Sequence, residues 1–196
     1  MYQKNRKAYR IAILGILSAI IIVQNFVPLL GYIPIPPLNP TIIHITVIIA
    51  ALTLGTKDGM IIGGVWGISR FIKAFIAPAS PLDLLLFTNP LISIVPRILV
   101  GFVAGYVYHL FKNKKEKDSL GMILSSVLAS LTNTILVLFF IYLFYKDDYA
   151  TALNVDVSNL AKALGAVVLT NGLAEAVAAA IIAPVVAKAL KRFKTT

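Results

Sequence analysis

Long apolar runs, separated by short polar or proline-rich segments, make up almost the whole chain. They are too long for strands and too evenly apolar for surface helices. Six helical spans account for them: residues 8–30, 42–55, 59–77, 91–111, 120–145 and 160–190. The second is short: at ~1.5 Å per residue it reaches ~21 Å, against a hydrocarbon core of ~30 Å. It must start earlier, thin the bilayer or be shielded by protein. Between spans one and two lies GYIPIPPLNP, whose four prolines exclude a continuous helix. Thr56-Lys57-Asp58-Gly59 reads as a tight turn. Residues 78–90 read as a loop, in which 84–87 dips towards the membrane. Residues 112–118 form a charged loop and 146–159 a polar, acidic one. The expected architecture is an all-α integral membrane protein: a single domain over 1–196, built as a compact six-helix bundle.

Composition agrees. Of 196 residues, 59% are hydrophobic and only 13% charged, against about 25% charged in soluble domains. The basic N-terminus followed by an apolar run is reminiscent of a signal peptide. The run is too long and lacks a small-residue cleavage site, so it reads as the first span. The net charge of +10 sits in short segments beside the spans, which is the pattern of membrane orientation rather than of nucleic-acid binding. Of the 18 basic residues, Lys4, Arg6, Lys7, Arg10, Lys57, Lys112, Lys114, Lys115, Lys117, Lys188, Lys191, Arg192 and Lys194 fall on one side, and only Lys146 and Lys162 on the other. Both termini are therefore expected in the cytoplasm, with the proline-rich, 78–90 and 146–159 loops outside.

The remaining cations, Arg70, Lys73 and Arg97, lie within spans around one stretch, SRFIKAFIAPASPLDLLLFTNPLISIVPR (69–97), whose only acid is Asp83. A charge at membrane depth costs about 2.5–3.5 kcal/mol on insertion scales, so such residues need an anion, water or a ligand. The stretch reads as one wall of a small-molecule site opening outwards. Arg97 suits bidentate recognition of a carboxylate, or a structural pair with Glu175. Glu175 is the one acid deep in a span, and Asn171 precedes it by one turn. Arg70 and Lys73 share a helix face, with Trp66 one turn back; Lys73 is placed to snorkel. Asn133 and Asn171 either bind ligand or cross-link helices. His44 opens span two, where it caps, packs or binds. His109 reads as interfacial.

Other chemistries lack their residues. There is no cysteine, so thiol chemistry and disulfides are excluded. Two separated histidines make a weak metal case, and no cofactor is implied. No P-loop, zincin or nucleophile-elbow pattern occurs. An intramembrane enzyme would need a nucleophile and base at one depth, which Ser69, Ser93 and the histidines do not supply. An ion-coupled secondary transporter would show paired inverted repeats or broken helices; none is evident.

On the first span, Ala8 and Ala12 form A-x-x-x-A, continued by Gly15 and Ala19. This spacing lets another helix approach closely, within the protein or from a partner. This motif, together with FVPLLGYIPI (26–35), IIHITVIIAALTLGTKDG (42–59), GVWGISRFIKAF (64–75) and FTNPLISIVPRILVGFVAGYVY (87–108), resembles the substrate-binding S component of an energy-coupling factor (ECF) vitamin transporter, an ABC-type importer. The likeness spans nearly the whole chain and is strongest to the pantothenate-specific branch. It implies a vitamin bound near the outer surface under the first and third outward loops. It also implies docking on a membrane coupling (T) protein with two ATP-binding subunits, and delivery by toppling of the whole S component. The helix-one alanines Ala8 and Ala12 would meet the coupling protein. For pantothenate, with its carboxylate, amide and hydroxyls, the leading contacts are Arg97, Asn133 and Asn171, then Arg70, His44 and Trp66. The alternative substrates, pyridoxine or a hydroxymethylpyrimidine, would favour aromatic stacking on Phe26, Tyr32, Trp66 or Phe87.

Overall fold

A computed structural model describes residues 2–27, 29–32, 41–111 and 118–193. Every element in them is helical: α1 (Tyr2–Phe26), α2 (Ile43–Leu54), α3 (Thr56–Ile76), α4 (Pro81–Phe87), α5 (Pro90–Ser93), α6 (Val95–Phe111), α7 (Asp118–Ala152), α8 (Val157–Val167), a π-helical turn (Val168–Gly172) and α9 (Leu173–Phe193). Four stretches, Thr56–Ile76, Pro90–Phe111, Asp118–Ala152 and Val157–Arg192, are long and apolar enough to cross a membrane. Arg10–Phe26 and Ile43–Leu54 are shorter apolar helices. Two expected loops, the proline-rich 33–40 and the charged 112–117, fall outside the described residues.

The brevity of α2 is resolved by shielding. Ten consecutive residues, Ile43 to Leu52, are buried, so the helix has no lipid-facing side and forms the centre of the bundle. Its contacts run to α3, α6 and α9. The turn expected at 56–59 is a single residue. Gly55, at φ 108°, reverses the chain in a conformation open chiefly to glycine. Thr56 already opens α3, and Asp58 sits in its first turn.

Glycines set the closest seam. Gly59, Gly63 and Gly67 on α3 face Gly101, the Arg97 carbonyl and Ile94 on the other side. A Cβ at Gly63 would lie 2.1 Å from the Arg97 carbonyl oxygen, and one at Gly101 would lie 2.2 Å from that of Gly59. Backbone therefore touches backbone here, as small residues at four-residue spacing permit. Among the described residues, the α3–α6 contact is the most extensive.

The 78–90 stretch holds helix rather than loop. Ser80 caps α4 by accepting from the Asp83 N–H (3.1 Å), with proline at the first position. Asn89 caps α5, accepting from Leu91 N–H (3.0 Å), again before a proline. Helix α7 runs past its expected end. It bends at Tyr145 (φ −137°) and continues to Ala152, so part of the supposed acidic loop is helical. Asp156 then caps α8, accepting from Ser158 N–H at 2.8 Å.

Candidate functional site

At the end of the bundle formed by the C-terminus of α3, α4 and the bend of α7 lies a cavity of about 590 Å³, within the range of small-molecule sites. Helix α3 supplies Trp66, Arg70 and Lys73; α4 supplies Leu82, Asp83, Leu86 and Phe87; the first turn of α6 supplies Arg97. Asn133, Thr134, Val137, Leu138 and Ile141 come from α7, and beyond its bend Tyr149. Asn171 in the π-turn and Glu175 in α9 close another side, with Tyr32 and Thr41.

Local sequence explains the placement of Arg97. The Ile92 carbonyl would ordinarily accept from the N–H four residues on, but that residue is Pro96, which has none. Arg97 Nη1 donates to this orphaned oxygen at 2.5 Å. The guanidinium carbon stands 5.0 Å from the Trp66 ring and 5.5 Å from the Phe87 ring, within cation–π range. Arg97 is 5% exposed, and its Nε has no hydrogen-bond partner among the described residues. A cation in the first turn of a helix also sits at the electrostatically unfavourable end. The unpartnered Nε and the position at the helix start leave Arg97 suited to an anion.

Arg70 is satisfied within the chain. Its Nη2 and Nη1 both donate to Asp83, the latter at 3.3 Å, and the pair is almost buried, at 8% and 11% exposure. The Arg70 guanidinium also lies 3.9 Å from the Phe87 ring, so Phe87 stands beside both arginines. Lys73 Nζ donates to the Asn25 carbonyl at 2.6 Å.

Arg97 and Glu175 share the cavity, but no ion pair joins them. One Glu175 carboxylate oxygen accepts from the Thr41 N–H (2.7 Å) and the other from the Thr134 hydroxyl (3.1 Å). Glu175 thus joins the chain entering α2 to α7. The pairing considered from sequence gives way to these two donors.

Of the residues singled out from sequence, Arg97, Asn133, Asn171, Arg70 and Trp66 all line the cavity. His44 does not. It is fully buried beside α7, with Nε2 3.2 Å from Ser130 Oγ. Ala8 and Ala12 lie far from the cavity, exposed on α1. The residues not anticipated are Asp83 in its role as the Arg70 partner, Thr134, and Tyr149. The capping pattern Ser80-Pro81-Leu82-Asp83 carries a readable signal for the first; nothing local announces the α7 bend that delivers Tyr149.

Three buried polar atoms on cavity-lining side chains have no partner among the described residues: Trp66 Nε1, Arg97 Nε and Asn133 Oδ1. Orphaned buried groups are costly. Two donors and an acceptor beside the apolar surface of Leu86, Val137, Leu138 and Ile141 suit a small organic acid with a polar and an apolar end.

Comparison with known proteins gives this cavity its setting. Residues 9–187 match the family described as ECF transporter, substrate-specific component. The chain is 34% identical to the pantothenic acid transporter PanT of Lactococcus lactis subsp. cremoris, covering 96% of this chain and 97% of that protein. It is 38% identical to the pantothenate transporter PanT of Leuconostoc mesenteroides over 67% of each chain. The fold is similar to the solved S-component for biotin from an ECF-type ABC transporter, with a TM-score of 0.57 and 15% identity over 94% of this chain and 93% of that one. The chain belongs to the substrate-specific components of ECF transporters, membrane transport subunits rather than enzymes.

Proposed function

We propose that the cavity binds pantothenate on the outer side of the membrane and that the protein delivers it inwards as the S component of an ECF-type importer. The observation that carries the reading is that three side chains lining one cavity, Trp66, Arg97 and Asn133, each carry a buried polar atom without a partner among the described residues. Two relatives named as pantothenate transporters support it. The carboxylate pairs with Arg97, where a planar fork meets a planar acid. Asn133 and Asn171 serve the amide and hydroxyls. The apolar side chains of α4 and α7 receive the hydrocarbon part. Arg70, paired with Asp83, stands beside Phe87, and Trp66 forms a flat wall. His44 buttresses α2 against α7.

Six spans follow if α1 and α2 complete the four longer ones, with both termini cytoplasmic. The charge asymmetry supports this orientation. The family works with a T component and ATPases. For this chain the docking face is the small side of α1: Ala8, Ala12, Gly15 and Ala19 are exposed, whereas Leu17, Ile21 and Asn25 turn inwards. Loading is tested by mass spectrometry of small molecules released from protein purified after growth with a vitamin mixture. Enrichment of pantothenate is the expected result. Enrichment of pyridoxine or a hydroxymethylpyrimidine in its place would assign the cavity to another vitamin.

A further inference from the structure

Among the described residues, five acidic or basic side chains line the cavity: Arg70, Lys73 and Arg97 against Asp83 and Glu175. The segment 33–40, IPIPPLNP, has no ionisable side chain and adds nothing to this balance. Glu175 is held by Thr41 and Thr134, one on each oxygen, and forms no ion pair with either arginine. Lys73 is engaged by a neutral carbonyl and faces the Tyr32 ring at 5.2 Å. Asp83 is the acid that decides the local balance at the arginines. Both its oxygens meet Arg70, and one also accepts from the Ala79 N–H at 3.1 Å. Both guanidinium carbons lie within 5.5 Å of the Phe87 ring centre. Two uncompensated guanidiniums lining one cavity would favour a phosphate or other multiply charged anion. Asp83 cancels one of them.

We propose that Asp83 sets the charge class of the ligand: by neutralising Arg70 it leaves Arg97 as the uncompensated one of the two cavity arginines, which accepts a monoanion and rejects dianions such as phosphate monoesters. This rests on the organic-acid reading of the cavity and extends it to what the site excludes. A carboxylic acid that acquires a phosphate after uptake no longer fits the site that admitted it.

The test uses Trp66, the single tryptophan of the chain and a cavity wall residue, as its own fluorescent reporter. The full-length purified protein, Asp83→Asn, Arg70→Gln and the double variant are titrated at matched ionic strength with pantothenate, its phosphate ester, acetate and sulfate. The parent protein is expected to prefer pantothenate over the ester by at least about tenfold, the value of one charge-assisted contact. Asp83→Asn shrinks that preference by about tenfold or more and raises the response to sulfate relative to acetate. Arg70→Gln, with Asp83 left uncancelled, weakens every anion. The double variant returns to the parent preference. Equal weakening of all four ligands in Asp83→Asn would show that the pair merely fastens α4 to α3, and would overturn the proposal. Failure of the parent to bind pantothenate, with the sulfate-to-acetate shift intact, would overturn the vitamin assignment and uphold the charge rule. Failure of that shift overturns the rule whichever vitamin binds.

Discussion

Replacing Gly63 with alanine puts a methyl group where α3 and α6 touch through their backbones. Its Cβ would lie 2.1 Å from the Arg97 carbonyl oxygen, 2.8 Å from the Arg97 carbonyl carbon and 3.2 Å from Ile98 Cα. None of these atoms can turn aside, so the helices must part by a displacement on the order of 1 Å in a close-packed interior. Overpacking of this kind costs about 1–3 kcal/mol. The neighbouring Gly64 is the control. A Cβ there meets only Ile98 Cγ1 at 3.8 Å, an ordinary contact. Both substitutions gain the same helix propensity, about 1 kcal/mol, so the difference between them isolates the seam. At roughly 2–4 °C per kcal/mol for a chain of this size, Gly63→Ala is expected to melt at least about 2 °C below Gly64→Ala in a detergent thermal-shift assay. Because the displaced atoms belong to Arg97, Gly63→Ala should also lose pantothenate affinity, which Gly64→Ala keeps. Equal melting temperatures and equal affinities for the two variants would refute the seam.

Three further outcomes are expected. Cysteines placed at Ser80 and Asn154 should react with an impermeant thiol reagent on intact cells, and one at Lys57 should not; labelling at 57 would reverse the orientation. Ala12→Trp, on the exposed face of α1, should leave calorimetric vitamin binding unchanged and abolish cellular uptake, whereas joint loss would make the alanines internal packing. Glu175→Ala leaves the Thr41 N–H and the Thr134 hydroxyl without their acceptor and should lower stability by about 1–3 kcal/mol. An unchanged melting temperature would mean that neither bond bears on stability.

What was legible in the sequence follows the physics of burial. Charges inside apolar runs are expensive enough to mark themselves, so Arg70 and Arg97 pointed to the cavity before any coordinates. Asn133, Asn171 and Trp66 line the same space for related reasons. His44 looked equivalent by position, but residues at a helix start can turn either way, and the packing of α2 against α7 decided it. The partner of Glu175 was illegible because the winning donor is a backbone N–H, at Thr41, which no side-chain pattern reveals. The turn before α3 was misplaced because Lys57 and Asp58 read as solvent-exposed polar residues. In fact Asp58 is buried and bonded to Arg10 Nε at 2.8 and 2.9 Å. The π-turn at Val168–Gly172 and the bend at Tyr145 are departures from regular geometry that hydrophobic periodicity averages away.

The central claim is that Arg97 reads the carboxylate of pantothenate. Its most direct test is a calorimetric double cycle on the parent protein and Arg97→Gln, each titrated with pantothenate and with pantothenol, the alcohol analogue. Loss of a charge-assisted contact costs about 1.5–3 kcal/mol, or about ten- to a hundredfold in affinity. The predicted result is that loss for the acid and a much smaller one for the alcohol. Equal losses for acid and alcohol would contradict the claim.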